Sequence, residues 1–269
     1  MGIGARTASR RVFRSALFAM GYHAGEASES TEILALIRKL RPLDCGIDLV
    51  RVGAAHDGGY LIPNDLEGIE FCFSPGVSSI AEFEMQLADR NIRSFLADYS
   101  INKPPAMRPE FTFDKKFLGA VDEERYFTLT TWKDKYLRDY SGDLILQMDI
   151  EGAEYQVFLS TPDSLLAQFR IIVVEFHALD RLFDKFGLGL ISACFEKLLQ
   201  SFYVVHIHPN DCSEVVRRGE IEIPEHMEFT FLNKRRVSET RPRTDFPHKL
   251  DAMNSALGRP LQLAKVWYS

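Results

Sequence analysis

No two of the four cysteines, at positions 45, 72, 194 and 212, stand in a C-x-x-C pair. That spacing excludes a thiolate zinc ribbon and gives no disulfide framework, so a reducing compartment is expected and the chain is placed in the cytoplasm. Cys72 and Cys194 lie inside apolar runs and read as small core residues. Also absent is any apolar stretch long enough to cross a bilayer, so a soluble protein is expected. A basic excess is missing too: the net charge is −6, which argues against a nucleic-acid partner. Finally, there is no G-x-G-x-x-G run of the kind that opens a dinucleotide-binding unit.

What is present suits one large domain. The 269 residues are 46% hydrophobic and 26% charged, ordinary values for a globular protein with a sizeable core. Residues 1–28 stand apart. Arg6, Arg10, Arg11 and Arg14 alternate with Val12, Phe13, Leu17 and Phe18, and no acid appears before Glu26. This reads as a basic extension suited to peripheral contact with a membrane surface, and residues 29–269 as a single domain. Lys234-Arg235-Arg236 forms a second basic run, read as a solvated turn, or otherwise as suited to an anionic substrate or a membrane surface.

From residue 69 onward, apolar runs of strand length alternate with helical spacing. The expected strands are 69–73, 94–97, 116–118, 144–148, 171–174, 203–205 and 229–232, with helices beginning near Ser30 and over 79–90 and 189–201. This alternation predicts an α/β fold with a largely parallel sheet covered on both faces. In such sheets ligands bind beyond the carboxyl ends of the strands.

The strand tips are polar where a core would be apolar. The first reads Phe73-Ser74-Pro75-Gly76-Val77-Ser78, a turn whose glycine lets backbone approach a ligand. The second ends in Asp98, 22 residues after Gly76, a separation suited to an acid that accepts ribose hydroxyls. The third is Gln147-Met148-Asp149-Ile150-Glu151-Gly152-Ala153-Glu154, with Asp149 and Glu151 expected on one side by strand alternation. The fourth carries Glu175 and His177, and the fifth His206 and His208. The last three strands are expected to be neighbours, each ending in a polar-x-polar pair, so that acids and histidines converge on one edge and form an active site.

The stretch MDIEGAEYQVF (148–158) is similar to the D-x-E-G-x-E pattern of FkbM-type S-adenosylmethionine-dependent O-methyltransferases. VVEFH (173–177), HIHPND (206–211) and MEFTFLNK (227–234) support the resemblance, and VRVGAAHDGGYLI (50–62) resembles the family's arginine-and-DGGY lead-in. The resemblance implies a Rossmann-like class I methyltransferase fold, with a mostly parallel seven-stranded sheet whose last strand is antiparallel. It implies S-adenosylmethionine as methyl donor and, as acceptor, the hydroxyl of a small molecule or glycan: a sugar, or a glycosylated or polyketide product. Carried onto this chain, it places Gly76, Ser78, Asp98, Asp149, Asp57 and Gly58 at the cofactor. Ser78 departs from the glycine that a G-x-G turn would offer, and is compatible with the turn if its φ is negative.

A hydroxyl is a weak nucleophile and benefits from a base titrating near neutrality. His177 is the first choice, His206 and His208 follow, and Glu175 would orient the base or the acceptor. A divalent metal held by Asp149, Glu175, His177 and His206 is an alternative, less favoured way to activate the acceptor. A metal-dependent hydrolase and a non-catalytic binding protein on a methyltransferase scaffold are the competing readings. The first would not need the Gly76/Asp98 pair; the second is favoured by Ser78.

Overall fold

In the computed structural model, residues 15–21, 25–255 and 260–269 are described. Most of the basic extension lies outside them, so the reading of 1–28 as a membrane-contacting segment is not addressed. No helix among the described residues is long and apolar enough to cross a membrane.

The core is one seven-stranded sheet. Its strands in chain order are β1 (Phe71–Pro75), β2 (Arg93–Ala97), β3 (Phe111–Asp114), β4 (Leu144–Met148), β5 (Phe169–Phe176), β6 (Phe202–Pro209) and β7 (Met227–Asn233). The spatial order is β3-β2-β1-β4-β5-β7-β6. Pairs from β3 to β5 are parallel, and β7 runs antiparallel to both of its neighbours. The order reverses between β1 and β4, and there the connections leave in opposite directions and open a crevice.

Strands β1, β4 and β5 are almost wholly apolar because both faces are covered. On one face lie α1 (Ser30–Lys39), α3 (Leu129–Leu137), α4 (Glu154–Ser160), α5 (Asp163–Leu166) and α6 (Lys185–Ser201). They pack Ile33, Trp132, Phe158 and Phe195 against Phe73, Leu146, Val174 and Phe229. The other face is covered by α2 (Glu82–Ala88) and by a hairpin of Leu49–Gly53 with Gly59–Pro63. Tyr60, Ile62 and Phe83 there meet Cys72, Ile145 and Val173. Cys72 and Cys194 are fully buried and unpaired, as their apolar surroundings imply.

Two expectations need correction. The third strand is Phe111–Asp114, whereas Phe117-Leu118 pairs with Tyr126-Phe127 in a separate two-stranded ladder. Phe111–Asp114 forms the sheet's edge and is only half buried, so it lacks the apolar run that marks an inner strand. Also, β6 is not the neighbour of β5: β7 lies between them. A connection that doubles back is invisible to local periodicity.

The basic run after β7 lies at the amino edge of the parallel strands, away from their carboxyl tips. Arg236 makes a two-pronged bond to Asp65 at 2.7 and 2.8 Å, and Arg235 pairs with Asp143. It is a surface turn tied to carboxylates of this chain.

Candidate active site

The crevice between β1 and β4 holds a cavity of about 610 Å³, within the range of roughly 300–1,000 Å³ for small-molecule sites. All six residues assigned to the cofactor line it: Asp57, Gly58, Gly76, Ser78, Asp98 and Asp149. Gly76 has φ +87°, and a Cβ there would lie 1.6 Å from the backbone oxygen of Asp149. Only glycine lets the β1 and β4 exits approach so closely.

Ser78 has φ +40°, not the negative value that would make a serine comfortable. It occupies the left-handed region a second glycine would favour. Its N–H donates to Asp98 Oδ2 at 2.9 Å, while Asp98 Oδ1 accepts from the N–H and hydroxyl of Ser100 at 2.7 and 2.6 Å. Asp98 thus locks the glycine turn against the end of β2. Ser100 was missed in the sequence because a serine two residues past a strand has no distinguishing signature.

Along the cavity wall runs a buried polar chain that sequence reasoning also missed: Tyr60, Glu84 and Gln147 line the cavity. Ser74 contacts Glu84 and lies 2.6 Å from Gln147 Oε1; Gln147 Nε2 reaches the Tyr60 hydroxyl at 3.3 Å. Ser74 has one proton to donate. Its hydroxyl is placed to donate to either the Glu84 or the Gln147 oxygen. Burial pushes Glu84 up to about 7, against the lowering effect of its bond to Ser74.

At the next tip the chain turns through Glu151, whose φ of +57° puts it outside the strand. Strand alternation therefore does not set its direction, yet Asp149 and Glu151 share one side as expected, both lining the cavity and both facing His177. The turn is held by Glu154 at the start of α4, whose Oε1 accepts from the N–H groups of Ile150 and Gly152. The same oxygen lies 3.2 Å from His177 Nδ1. His177 Nε2 then faces Asp149, Glu151 and Glu175 at 3.7, 3.5 and 3.7 Å. Burial alone would lower the imidazole, but the Glu154 bond and these carboxylates outweigh it and raise His177 to about 9. Burial raises Asp149, against the pull of His177. Burial, with repulsion from Asp149 and Glu228, also raises Glu175. The site thus favours the charged form of His177 and the neutral form of Glu175. Asn210 donates to Glu175 Oε1 at 3.0 Å.

The two remaining candidates are elsewhere. Because β7 intervenes, Glu228 sits in register between Glu175 and His208. His206 and His208 turn to Asp251, which follows β7, and neither lines the cofactor cavity. His208 and Asp251 instead border a second cavity of about 410 Å³, together with Phe246, Met253 and Tyr268. Burial lowers His206, while Asp251 raises His208 against the effect of burial. The lead-in Arg51 braces the cavity rim by donating to the carbonyls of Ala54 and His56 at 2.7 and 3.0 Å.

A sheet of order 3-2-1-4-5-7-6 with only the seventh strand reversed, and a nucleoside-sized cavity at its switch point, defines a Rossmann-like methyltransferase fold. Residues 79–206 match the family model described as "Methyltransferase FkbM domain". No curated protein matches the chain. Among solved structures, a chain of "Crystal structure of fibrillarin/Nop5p complex" aligns over 62% of this chain and 74% of its own, at 12% identity and a TM-score of 0.37. At that TM-score the likeness carries no argument, and the fold rests on the sheet order and on the match over residues 79–206.

Proposed function

We propose that the chain is an S-adenosylmethionine-dependent O-methyltransferase acting on a hydroxyl of a small-molecule or glycan acceptor, of the sugar, glycan, or glycosylated or polyketide product class. The residues fit the cofactor. The cavity has room for it, Gly76 permits close backbone approach, Asp98 is placed for ribose hydroxyls, and Asp149 brings negative charge toward a sulfonium. Asp149 Oδ1 is buried without a hydrogen-bond partner, as expected of a group that meets a ligand. Asp57 and Gly58 would close the rim. When bound, the cofactor supplies an electrophilic methyl group.

The residues of the chain do the rest. Asp98 holds the Ser78 turn in place, and Asp149 borders both the cavity and the imidazole. His177, held by Glu154, presents Nε2 toward the acceptor side and takes the proton that the hydroxyl loses. Because the site favours its charged form, the imidazole must first release a proton to solvent. Glu175 is placed to donate to an acceptor oxygen and to orient the site. Alignment in the cavity supplies much of the acceleration, since methyl transfer is an in-line displacement.

The observation that carries this reading is the Asp149–His177 juxtaposition: a residue of the cofactor cavity lies 3.7 Å from a base that is oriented by a carboxylate. The test is incubation with methyl-labelled S-adenosylmethionine and a panel of sugars, glycosides and hydroxylated polyketides. An O-methyl product identified by NMR supports the reading. Transfer to nitrogen or carbon alone would overturn the O-methyl assignment.

A further inference from the structure

We propose that His206, His208 and Asp251 form a binding site for a divalent transition-metal ion, bordering the second cavity and separate from the Glu154–His177 pair. Strand alternation puts His206 and His208 on the same side of β6, facing the segment that carries Asp251. One ring nitrogen from each histidine and one carboxylate oxygen all lie within 4.8 Å of one another. Ligand atoms at about 2.0–2.2 Å from a common tetrahedral ion lie about 3.3–3.6 Å apart. Side-chain rotations that close the separations by at most about 1.5 Å complete the set.

The pairing within the cluster is poor for hydrogen bonding. His206 Nε2 is 2.9 Å from Asp251 Oδ1, yet off the line along which an N–H would donate, so both His206 nitrogens and that oxygen are buried without a hydrogen bond. His208 Nε2 is also buried and unpartnered. His206 is only 2% exposed, and buried polar groups in folded proteins are rarely left without partners. Adjacent ligands of one ion approach each other in this way, close but unaligned. Two imidazoles and one carboxylate suit Fe²⁺, Mn²⁺, Co²⁺ or Zn²⁺ and leave coordination positions open. Here the cavity of about 410 Å³ bordered by His208 and Asp251 gives both an entry path and room for an oxygen ligand.

A second trio, Glu175, His177 and His226, has similar ligand types. His177 differs from His206 in that Glu154 already engages its Nδ1 and three carboxylates face its Nε2. The ion at Asp251 would also fasten the segment leading to Asn254, whose carbonyl accepts from the N–H of Asp57 on the cofactor rim.

The test is titration of the chelator-treated full chain with Co²⁺, followed by visible absorption and by metal content after gel filtration. One Co²⁺ per chain is expected, with d–d bands, a higher Tm, and at least tenfold weaker binding in Asp251→Asn and in His208→Gln. His177→Gln is expected to bind as the wild type does. Should Asp251→Asn fail to fold by circular dichroism, His208→Gln decides. A folded wild type that takes up no Co²⁺ overturns the proposal. So does binding that survives both substitutions, or that is lost only in His177→Gln.

Discussion

Nδ1 of His177 lies 3.2 Å from Oε1 of Glu154, while Nε2 of the same ring points toward Asp149, Glu151 and Glu175. One side of the imidazole is anchored in the fold, and the other is aimed at the edge of the cofactor cavity. Replacing His177 with Ala should therefore lower kcat by roughly 10²–10⁴-fold, the usual contribution of a positioned base. Cofactor affinity should be unchanged, because His177 does not line that cavity. Steady-state kinetics alongside calorimetry check both halves.

Glu154→Gln isolates the carboxylate. Its bond and charge are the leading influences that raise His177 to about 9. A base must be unprotonated to work, so the wild-type kcat/KM should climb with pH toward that value. Removing the charge lowers the imidazole toward its ordinary value near 6.5. The rising limb of the pH–rate profile should then move to lower pH in the variant. An unshifted limb would show that another group controls it.

Ser78→Gly tests the strained turn. A side chain in the left-handed region costs about 1–2 kcal/mol, part of which is returned by the greater unfolded-state freedom of glycine. The variant should gain about 1 kcal/mol of stability in denaturant titration while keeping the Ser78 N–H bond to Asp98.

Glu84→Gln probes the buried polar chain. The carboxyl is raised from 4.5 to about 7 by burial. For an acid raised in the folded state, the stabilisation is fully present below its unfolded value and is lost as pH rises through its folded value. The wild type should thus lose stability between about pH 4.5 and 7 relative to the glutamine variant. At pH 8 the variant should be more stable by roughly 3 kcal/mol, with the difference vanishing near pH 4. Thermal unfolding across pH reads this directly.

The sequence made the parallel core and the cofactor edge legible for a physical reason. Inner strands such as Leu144–Met148 must be apolar on both faces, so a polar residue at the tip is conspicuous. Gly76, Asp98 and Asp149 follow from that rule and meet at one cavity. What was illegible depends on contacts made over long separations. His206 and His208 looked like neighbours of His177 until β7 was found between β5 and β6. Asp251 has no local pattern to mark it, and its role arises only when the chain beyond β7 folds back onto β6. Glu84 reads as one more surface acid on a short helix, yet it is 3% exposed and faces Ser74.

The most direct measurement is calorimetric titration of the full chain with S-adenosylmethionine and with S-adenosylhomocysteine, beside the Asp98→Asn variant. The account predicts saturable binding of both ligands at micromolar concentration, weakened at least tenfold (about 1.4 kcal/mol) by the substitution. A folded protein that binds neither ligand would contradict the assignment of the β1–β4 crevice as a cofactor site.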